Sequence, residues 1–276
     1  MNSLLSFVGF RYKEDLVPVL LILGVFITQL AVFFFLSDWR IVAVVEGFLL
    51  IPQMSISAFN HHHAHLNTFN RTFSNHILNT ILGLHTGIVT MGWVLHHNLG
   101  HHRNYLDQDL DQSRWRRRSG ERMGVAEYVF GNYLRMYPEM FAVALKHPTL
   151  LRKFLLQIGV SLTLLAFFAW FNPVNTLILF VIPMLVKPPL TFLATYFQHA
   201  GLEPTDHHHA SYNNLQPSYN TFFWNLGYHS AHHIKPGLHW SVLPEFHREI
   251  EKEIPGNLIV TDAVPWRWFD RKRAKQ

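Results

Sequence analysis

The sequence predicts an all-α integral membrane protein with about four transmembrane helices in two hairpins, and with cytoplasmic helical segments that carry short clusters of histidine. Two observations predict this fold. Apolar runs of membrane-spanning length, each with at most one charge, occur in pairs separated by very short turns. The 20 histidines gather mainly at or just beyond the ends of those runs. Because no linker or repeat divides the 276 residues, we expect one domain over residues 1–276.

Each predicted hairpin is a pair of apolar runs. Residues 16–36 and 41–59 form the first pair, and their four-residue connection requires a tight antiparallel turn. Residues 154–171 and 174–197 form the second pair, which turns at Asn172-Pro173. Two charges lie inside these runs. We expect Glu46 to reach the interface or pair with Arg40. The fourth span should either thin the bilayer locally or carry Lys187 near the inner surface, to which its amine can extend.

Two further stretches are apolar without being clear spans. Residues 77–95 contain His85 and several polar breaks, and residues 125–145 mix Glu127, Arg135 and Glu139 with aromatic side chains. We interpret both as helices that lie at the inner interface. A two-span hairpin is the alternative for these stretches, and it would leave the topology unchanged.

Basic residues are distributed unevenly around the predicted spans. An even number of spans places the N-terminus, the central segment and the C-terminus on one side, and the other side offers only Arg40. The positive-inside rule therefore puts the large segments in the cytoplasm. A net charge of +5 beside long apolar runs favours a membrane surface over nucleic acid as the partner. The cytoplasmic basic residues are Arg11, Lys13, Arg103, Arg114, Arg116, Arg117, Arg118, Arg122, Lys146, Arg152, Lys153, Arg267, Arg271, Lys272, Arg273 and Lys275.

The chain contains no cysteine. Disulfides, thiolate zinc sites and cysteine-ligated iron–sulfur clusters are therefore excluded. Any electrons that the protein needs must come from another protein or a cofactor.

The spacing of the clustered histidines indicates a metal site. His61 and His65 are one helical turn apart, and His229, His232 and His233 have the i, i+3, i+4 spacing that places three imidazoles on one helix face. The i, i+4, i+5 spacing of the middle cluster fits an ideal helix poorly. That cluster must bridge two metals or lie where the helix is distorted. The middle cluster is His97, His101 and His102.

With His199 from the end of the last span, these clusters supply nine imidazoles, too many for one ion and suitable for two. Imidazole binds iron, copper and zinc alike, so the spacing does not select the metal. Lone histidines are expected to be structural, and those beside better-spaced ones to hold supporting or surface positions. The lone histidines are His76, His85, His147, His239 and His247, and the others are His62, His63, His96, His207, His208 and His209.

Several motifs resemble those of the membrane fatty acid desaturase family, which includes related hydroxylases. Members of that family carry three histidine clusters, called histidine boxes, and one isolated histidine. Residues 97–102 (H-N-L-G-H-H) resemble the middle box, residues 61–65 resemble the first box (H-x3-H), and His199 corresponds to the isolated histidine. The last match is N-x-x-F-x-N-x-x-Y-H-x-x-H-H-x-x-P-x-x-x-W-x-x-L-P. It is formed by Asn220, Phe223, Asn225, Tyr228, His229, His232, His233, Pro236, Trp240, Leu243 and Pro244.

The resemblance implies two iron ions, cycling between Fe²⁺ and Fe³⁺, in a mushroom-shaped bundle of four transmembrane helices under a cytoplasmic cap. It implies no catalytic residues beyond the metal ligands. Thr195 stands where some members carry an asparagine that binds metal through water, and His62 stands where an acidic residue is common. The implied ligands are His61, His65, His97, His101, His102, His199, His229, His232 and His233.

The implied activity is oxygen-dependent desaturation of a fatty acyl chain, with a lipid or acyl chain as substrate. Two electrons would come from an external donor such as ferredoxin or rubredoxin with its reductase, because the spans and boxes leave no room for a fused carrier. Hydroxylation of an acyl chain or alkane on the same fold is the alternative. A membrane metal-binding or transport protein is a remote alternative. Transporters place polar ligands near mid-membrane, whereas these spans carry no histidine at their centres. A zinc protease would need H-E-x-x-H, which is absent.

Overall fold

The computed structural model describes residues 9–261 and consists mainly of helices. Arg267, Arg271, Lys272, Arg273 and Lys275, which we assign to the cytoplasmic side, lie outside the described residues. The helices are α1 (Leu16–Phe35), α2 (Trp39–His65), α3 (Thr72–Thr86), α4 (Thr90–Trp93, continued by a π-helix Val94–His101), α5 (Val125–Ala144), α6 (Pro148–Phe171), α7 (Pro173–His199, with a π-helical turn Leu177–Val181), α8 (Pro217–Phe222), α9 (His229–Ile234) and α10 (Leu243–Ile250).

Four helices within residues 9–261 are long and apolar enough to cross a membrane, as the sequence predicts. They are α1, α2, α6 and α7. Most of their side chains are not covered by protein, and large apolar ones such as Phe35, Phe48 and Trp170 are exposed. This pattern suits helices whose outer faces contact lipid. Helix α2 continues to His65, six residues beyond the predicted end of its span, so the first histidine box lies on the same helix.

The two predicted hairpins are confirmed. Asp38 caps α2 by accepting a hydrogen bond from Arg40 N at 2.9 Å, and Asn172 caps α7 by accepting one from Asn175 N at 3.0 Å. These caps satisfy amides that helix starts leave without partners. Asn175 Nδ2 also donates to the carbonyl of Leu36 at 2.9 Å. That bond fastens the two hairpin turns to each other at one end of the bundle.

A buried polar layer crosses the bundle between these hairpins, and it consists of Gln29, Glu46, Gln53 and Lys187. Gln29 Nε2 donates to Glu46 Oε2 at 3.0 Å and Gln53 Nε2 donates to Glu46 Oε1 at 2.7 Å. Lys187 Nζ donates to Gln53 Oε1 at 2.5 Å. Lys187 is only 1 % exposed, so the prediction that it reaches the inner surface is wrong. The prediction for Glu46 is also wrong, because its carboxylate faces the two amides inside the bundle.

Helices α3 and α4 together pass the test for a span, but they bend by 80° at residues 87–89, as a broken span or a re-entrant loop does. The bend depends on Gly87, whose φ is +69°. A Cβ at this position would lie 1.9 Å from the carbonyl oxygen of Met184, so only glycine fits. Helix α5 is not among the four helices of residues 9–261 that pass this test.

The chain divides into two compact units. Residues 9–95 with 140–188 form the first, whose apolar core includes Phe33, Phe168 and Phe180. Residues 96–139 with 189–261 form the second, whose core centres on Ala231, Leu243 and Phe246. A short parallel pair, β1 (Asn213–Asn214) and β2 (Ile259–Val260), belongs to the second unit.

Candidate metal centre

The middle histidine box lies on the π-helical end of α4. A backbone hydrogen bond of 2.8 Å runs from His102 N to His97 O, the i to i+5 spacing of a π-helix. The wider turn brings the i and i+5 side chains together, and the Nε2 atoms of His97 and His102 are 2.9 Å apart. His101 points to a different set of histidines. The distorted helix is therefore the alternative that the structure confirms, and the box divides between two groups of histidines.

The first histidine group in the second unit is His97, His102 and His232. Their ring nitrogens lie within 4.8 Å of one another, and the Nε2 atoms of His102 and His232 are 3.0 Å apart. His232 is 1 % exposed. The group therefore brings three ring nitrogens to within the spacing that ligands of one ion require.

The second histidine group is His101, His199, His229 and His233. Ring nitrogens of His101, His199 and His233 lie within 4.8 Å of one another. His229 Nε2 is 2.9 Å from His199 Nε2 and 3.2 Å from His233 Nε2. All four residues are buried, and burial lowers the pKa of His233 well below its ordinary value. A low pKa keeps this imidazole neutral and therefore able to bind a metal.

Helix α9 divides its three histidines between the groups. The i, i+4 pair His229 and His233 joins the second group, whereas His232 turns to His102 in the first. The three rings lie together, with centroids 4.6 to 5.8 Å apart, as the shared helix face predicts. The spacing does not predict that His232 and His233 serve different groups.

His61 and His65 lie in the first unit, at the end of α2. Their ring centroids are 5.3 Å apart, as expected one turn apart on a helix, and His61 stacks on Trp93 at 5.3 Å. His61 is buried. The structure therefore places seven of the nine predicted ligands in two adjoining groups of one unit, and the remaining two side by side in the other unit.

Three residues around the second group were not predicted from the sequence. His101 Nδ1 donates to Asp111 Oδ1 at 2.8 Å, and His199 Nδ1 donates to the carbonyl of Ala210 at 2.9 Å. The Tyr105 ring packs on His233 with a centroid distance of 4.2 Å. Burial raises the pKa of Tyr105, which therefore stays protonated. No sequence pattern distinguishes Asp111 from its neighbours Asp107 and Asp109.

The arrangement of nitrogen atoms fits a bound metal. A neutral imidazole carries one N–H, and His101 and His199 use theirs at Nδ1, so their Nε2 atoms present lone pairs. His101 Nε2 is buried and makes no hydrogen bond within residues 9–261. With metal–nitrogen bonds of about 2.0–2.1 Å, ligands about 90° apart have nitrogens about 2.9 Å from each other. The Nε2 separations of 2.9 to 3.2 Å match this value.

Two histidines outside the groups, His63 and His209, take the structural and surface positions that we expect for them. Both ring nitrogens of His63 are occupied, by Thr68 Oγ1 at 2.8 Å and Asn79 Oδ1 at 2.9 Å. His209 is exposed and bonds Asp206 at 2.8 Å. Thr195 Oγ1 donates to the carbonyl of Thr191 at 3.1 Å, so its hydroxyl is used within α7.

Comparison with known proteins agrees with the site. No curated protein and no solved structure matches the chain. The protein family described as fatty acid desaturase matches residues 37–264, which include all four histidine elements and three of the four spans. The chain therefore belongs to the fatty acid desaturase family.

Proposed function

We propose that the chain is an oxygen-dependent desaturase that acts on a fatty acyl chain through two irons. The single observation that carries the proposal is the pair of buried histidine groups whose Nε2 atoms approach to 2.9–3.2 Å. His61 and His65 complete the ligand set in this proposal. The proposed ligands are His61, His65, His97, His101, His102, His199, His229, His232 and His233.

The proposed reaction converts –CH2–CH2– with O2, two electrons and two protons to –CH=CH– and two molecules of water. Bound irons supply the activation of oxygen that removal of hydrogen from an unactivated carbon requires. All proposed ligands are imidazoles, and neutral ligands leave positive charge on the metal.

The side chains around the histidine groups fix the positions of the ligands and keep water away from them. Ser230 and Ala231 are fully buried between the histidines of α9, and Tyr105 covers His233. Fixed ligands need little reorganisation during the reaction, and exclusion of water prevents loss of a reactive species. The two electrons come from a separate carrier, such as ferredoxin or rubredoxin with its reductase, because the chain has no cysteine for a cluster of its own.

The substrate reaches the site from the membrane in this proposal. The spans expose large apolar side chains such as Phe48 and Leu162, which suit contact with acyl chains. The active site lies on the cytoplasmic side, as the positive-inside distribution predicts.

The test is expression in a host with its own ferredoxin system, followed by mass spectrometry of the total fatty acids. The wild-type chain should yield an acyl product that is two hydrogens lighter. His232→Ala should abolish that product and lower the iron content of the purified protein. His76→Ala, which changes an exposed histidine outside both groups, is the matched control and should behave as wild type.

Each alternative has its own outcome. A product that gains one oxygen makes the protein a hydroxylase on the same fold and removes the desaturase assignment. Full activity in His232→Ala contradicts the role of the histidine groups. A wild-type protein that binds no iron under anaerobic reconstitution contradicts the proposed metal centre.

A further inference from the structure

Asp111 is a buried carboxylate beside the second histidine group. Its side chain is 2 % exposed and its Oδ1 accepts from His101 Nδ1 at 2.8 Å. The same oxygen accepts from the backbone N–H of Ser113 at 2.8 Å. An acidic side chain is rarely so deeply buried unless specific partners require it. Asp111 is not among the proposed ligands, so its position needs a separate explanation.

The contact decides which nitrogen of His101 is free. A carboxylate accepts hydrogen bonds and has none to give, so the imidazole hydrogen must be on Nδ1. The Nε2 atom then carries the lone pair of the ring, on the side of the group formed with His199 and His233. A hydrogen bond from the far ring nitrogen to a carboxylate also makes the imidazole a stronger donor to a metal.

The loop around Asp111 is built to hold the carboxylate in place. Asp111 N donates to the carbonyl of Asp107 at 2.9 Å, and Gln112 N donates to the carbonyl of Gly100 at 3.3 Å. The Tyr128 hydroxyl donates to the carbonyl of Ser113 at 3.1 Å. The loop is thereby tied back to the turn of α4 that carries His101. Both ends of the Asp111–His101 bond are fixed by backbone contacts.

The second group is therefore supported unequally. His101 bonds a carboxylate, whereas His199 bonds the neutral carbonyl of Ala210. A carboxylate has the larger effect because its negative charge acts through the imidazole on the metal. His101 is therefore a stronger electron-pair donor to a metal than His199.

We propose that Asp111 is a positioning residue that fixes His101 as an Nε2 ligand and strengthens metal binding at the second histidine group alone. The inference rests on the proposed metal centre. It predicts two inequivalent metal sites in one chain. The metal affinity of the site formed by His101, His199, His229 and His233 should depend on Asp111 more strongly than that of the other site.

The test uses the full-length chain in detergent, stripped with a chelator and titrated with Co²⁺ under anaerobic conditions. The visible spectrum reports the number of bound ions, their affinity and their coordination. Variants are Asp111→Ala, Asp111→Asn and the control Asp109→Asn, which alters an exposed acid of the same loop. The melting temperature of each stripped variant reports whether the fold itself has changed.

Wild type and Asp109→Asn should each bind two ions. Asp111→Ala should keep one ion at wild-type affinity and bind the other about 10–100-fold more weakly. Asp111→Asn retains an acceptor for Nδ1, so it should restore the second ion while shifting the spectrum of that ion only. A merely structural role would lower the melting temperature without this site-selective spectral change.

Three results would overturn the inference. If Asp111→Ala binds both ions as tightly as wild type does, Asp111 has no role in metal binding, although the proposed metal centre stands. Equal weakening of both ions shows a general effect on the fold. A wild-type chain that binds no Co²⁺ or Fe²⁺ removes the proposed centre and this inference together. If Asp111→Ala does not fold, an unshifted spectrum in Asp111→Asn still refutes the proposal.

Discussion

The polar layer of the spans and the histidine groups are both buried and polar, yet they differ in how their hydrogen bonds are matched. In the polar layer, amide and ammonium donors face carboxylate and amide acceptors at 2.5 to 3.0 Å. In the histidine groups, ring nitrogens of the same kind face each other at 2.9 to 3.2 Å. In the first arrangement each donor meets a protein acceptor, whereas the second brings together ring nitrogens that suit a bound cation.

This difference separates stability from function. A matched buried network supports the fold, and removal of one member leaves a charge or dipole without compensation. A set of converging lone pairs is unfavourable until a cation binds. We therefore expect changes in the polar layer to act on folding whether or not metal is present, and changes in the histidine groups to act through metal.

The largest effect is expected from His233→Ala. This residue contacts His229 at 3.2 Å and belongs to the second group with His101 and His199. Its loss should reduce product formation to background and remove at least one metal ion per chain. Product analysis and metal analysis of the purified variant measure the two effects. His247→Ala changes a buried histidine outside both groups and should retain its metal; equal metal loss there would erase the distinction between the groups and other buried histidines.

Lys187→Met should cost about 3 kcal/mol of unfolding free energy, because it removes a buried charged donor and leaves Gln53 Oε1 without its partner. Unfolding in mixed detergent micelles measures this cost. The metal content of the folded fraction should stay at the wild-type level, since Lys187 bonds Gln53 and not a histidine of either group.

The double variant Glu46→Gln with Lys187→Met is the control for that prediction. It removes both charges, so it should be more stable than Lys187→Met alone, although glutamine reproduces only part of the hydrogen bonding. A double variant no more stable than the single one would show that Glu46 and Lys187 are not energetically coupled.

Hydropathy was enough to predict the spans, because lipid imposes length and composition on each helix separately. The histidine spacing also predicted that the middle box serves two metals or lies on a distorted helix. The partners of Lys187 were not predictable, since Gln53 lies 134 residues earlier in the sequence and meets it only through helix packing. The contact between Asp111 and His101 was not predictable for the same reason, because it depends on a loop that folds back on α4. The orientation of His232 depends on the packing of a short buried helix, which an ideal helical wheel does not describe.

Chelation should have the next largest effect. A ligand that binds only the folded protein stabilises it by about 2.7 kcal/mol at a free concentration 100-fold above its dissociation constant. Stripping the wild-type chain should therefore lower its melting temperature, and returning metal should restore it. The melting temperature of Lys187→Met should respond to metal by the same amount. If chelation instead has no effect on wild-type stability while metal is demonstrably removed, the histidine groups are already balanced without a cation.

The smallest effect is expected at the exposed histidines beside Asp206. The hydrogen bond from His209 lowers the pKa of the Asp206 carboxyl to about 2, and backbone N–H groups of His208 and His209 add to the effect. A lowered pKa in the folded state stabilises the protein above the ordinary pKa of about 4. That contribution is lost as the pH falls towards 2.

The double variant His208→Ala with His209→Ala should be within about 0.5 kcal/mol of wild type at neutral pH, because exposed charges are screened. Its melting temperature should approach that of wild type on acidification, with metal content unchanged throughout. Loss of metal from this variant would mean that exposed histidines share in the centre, and the contrast between matched and unmatched histidines would then fail.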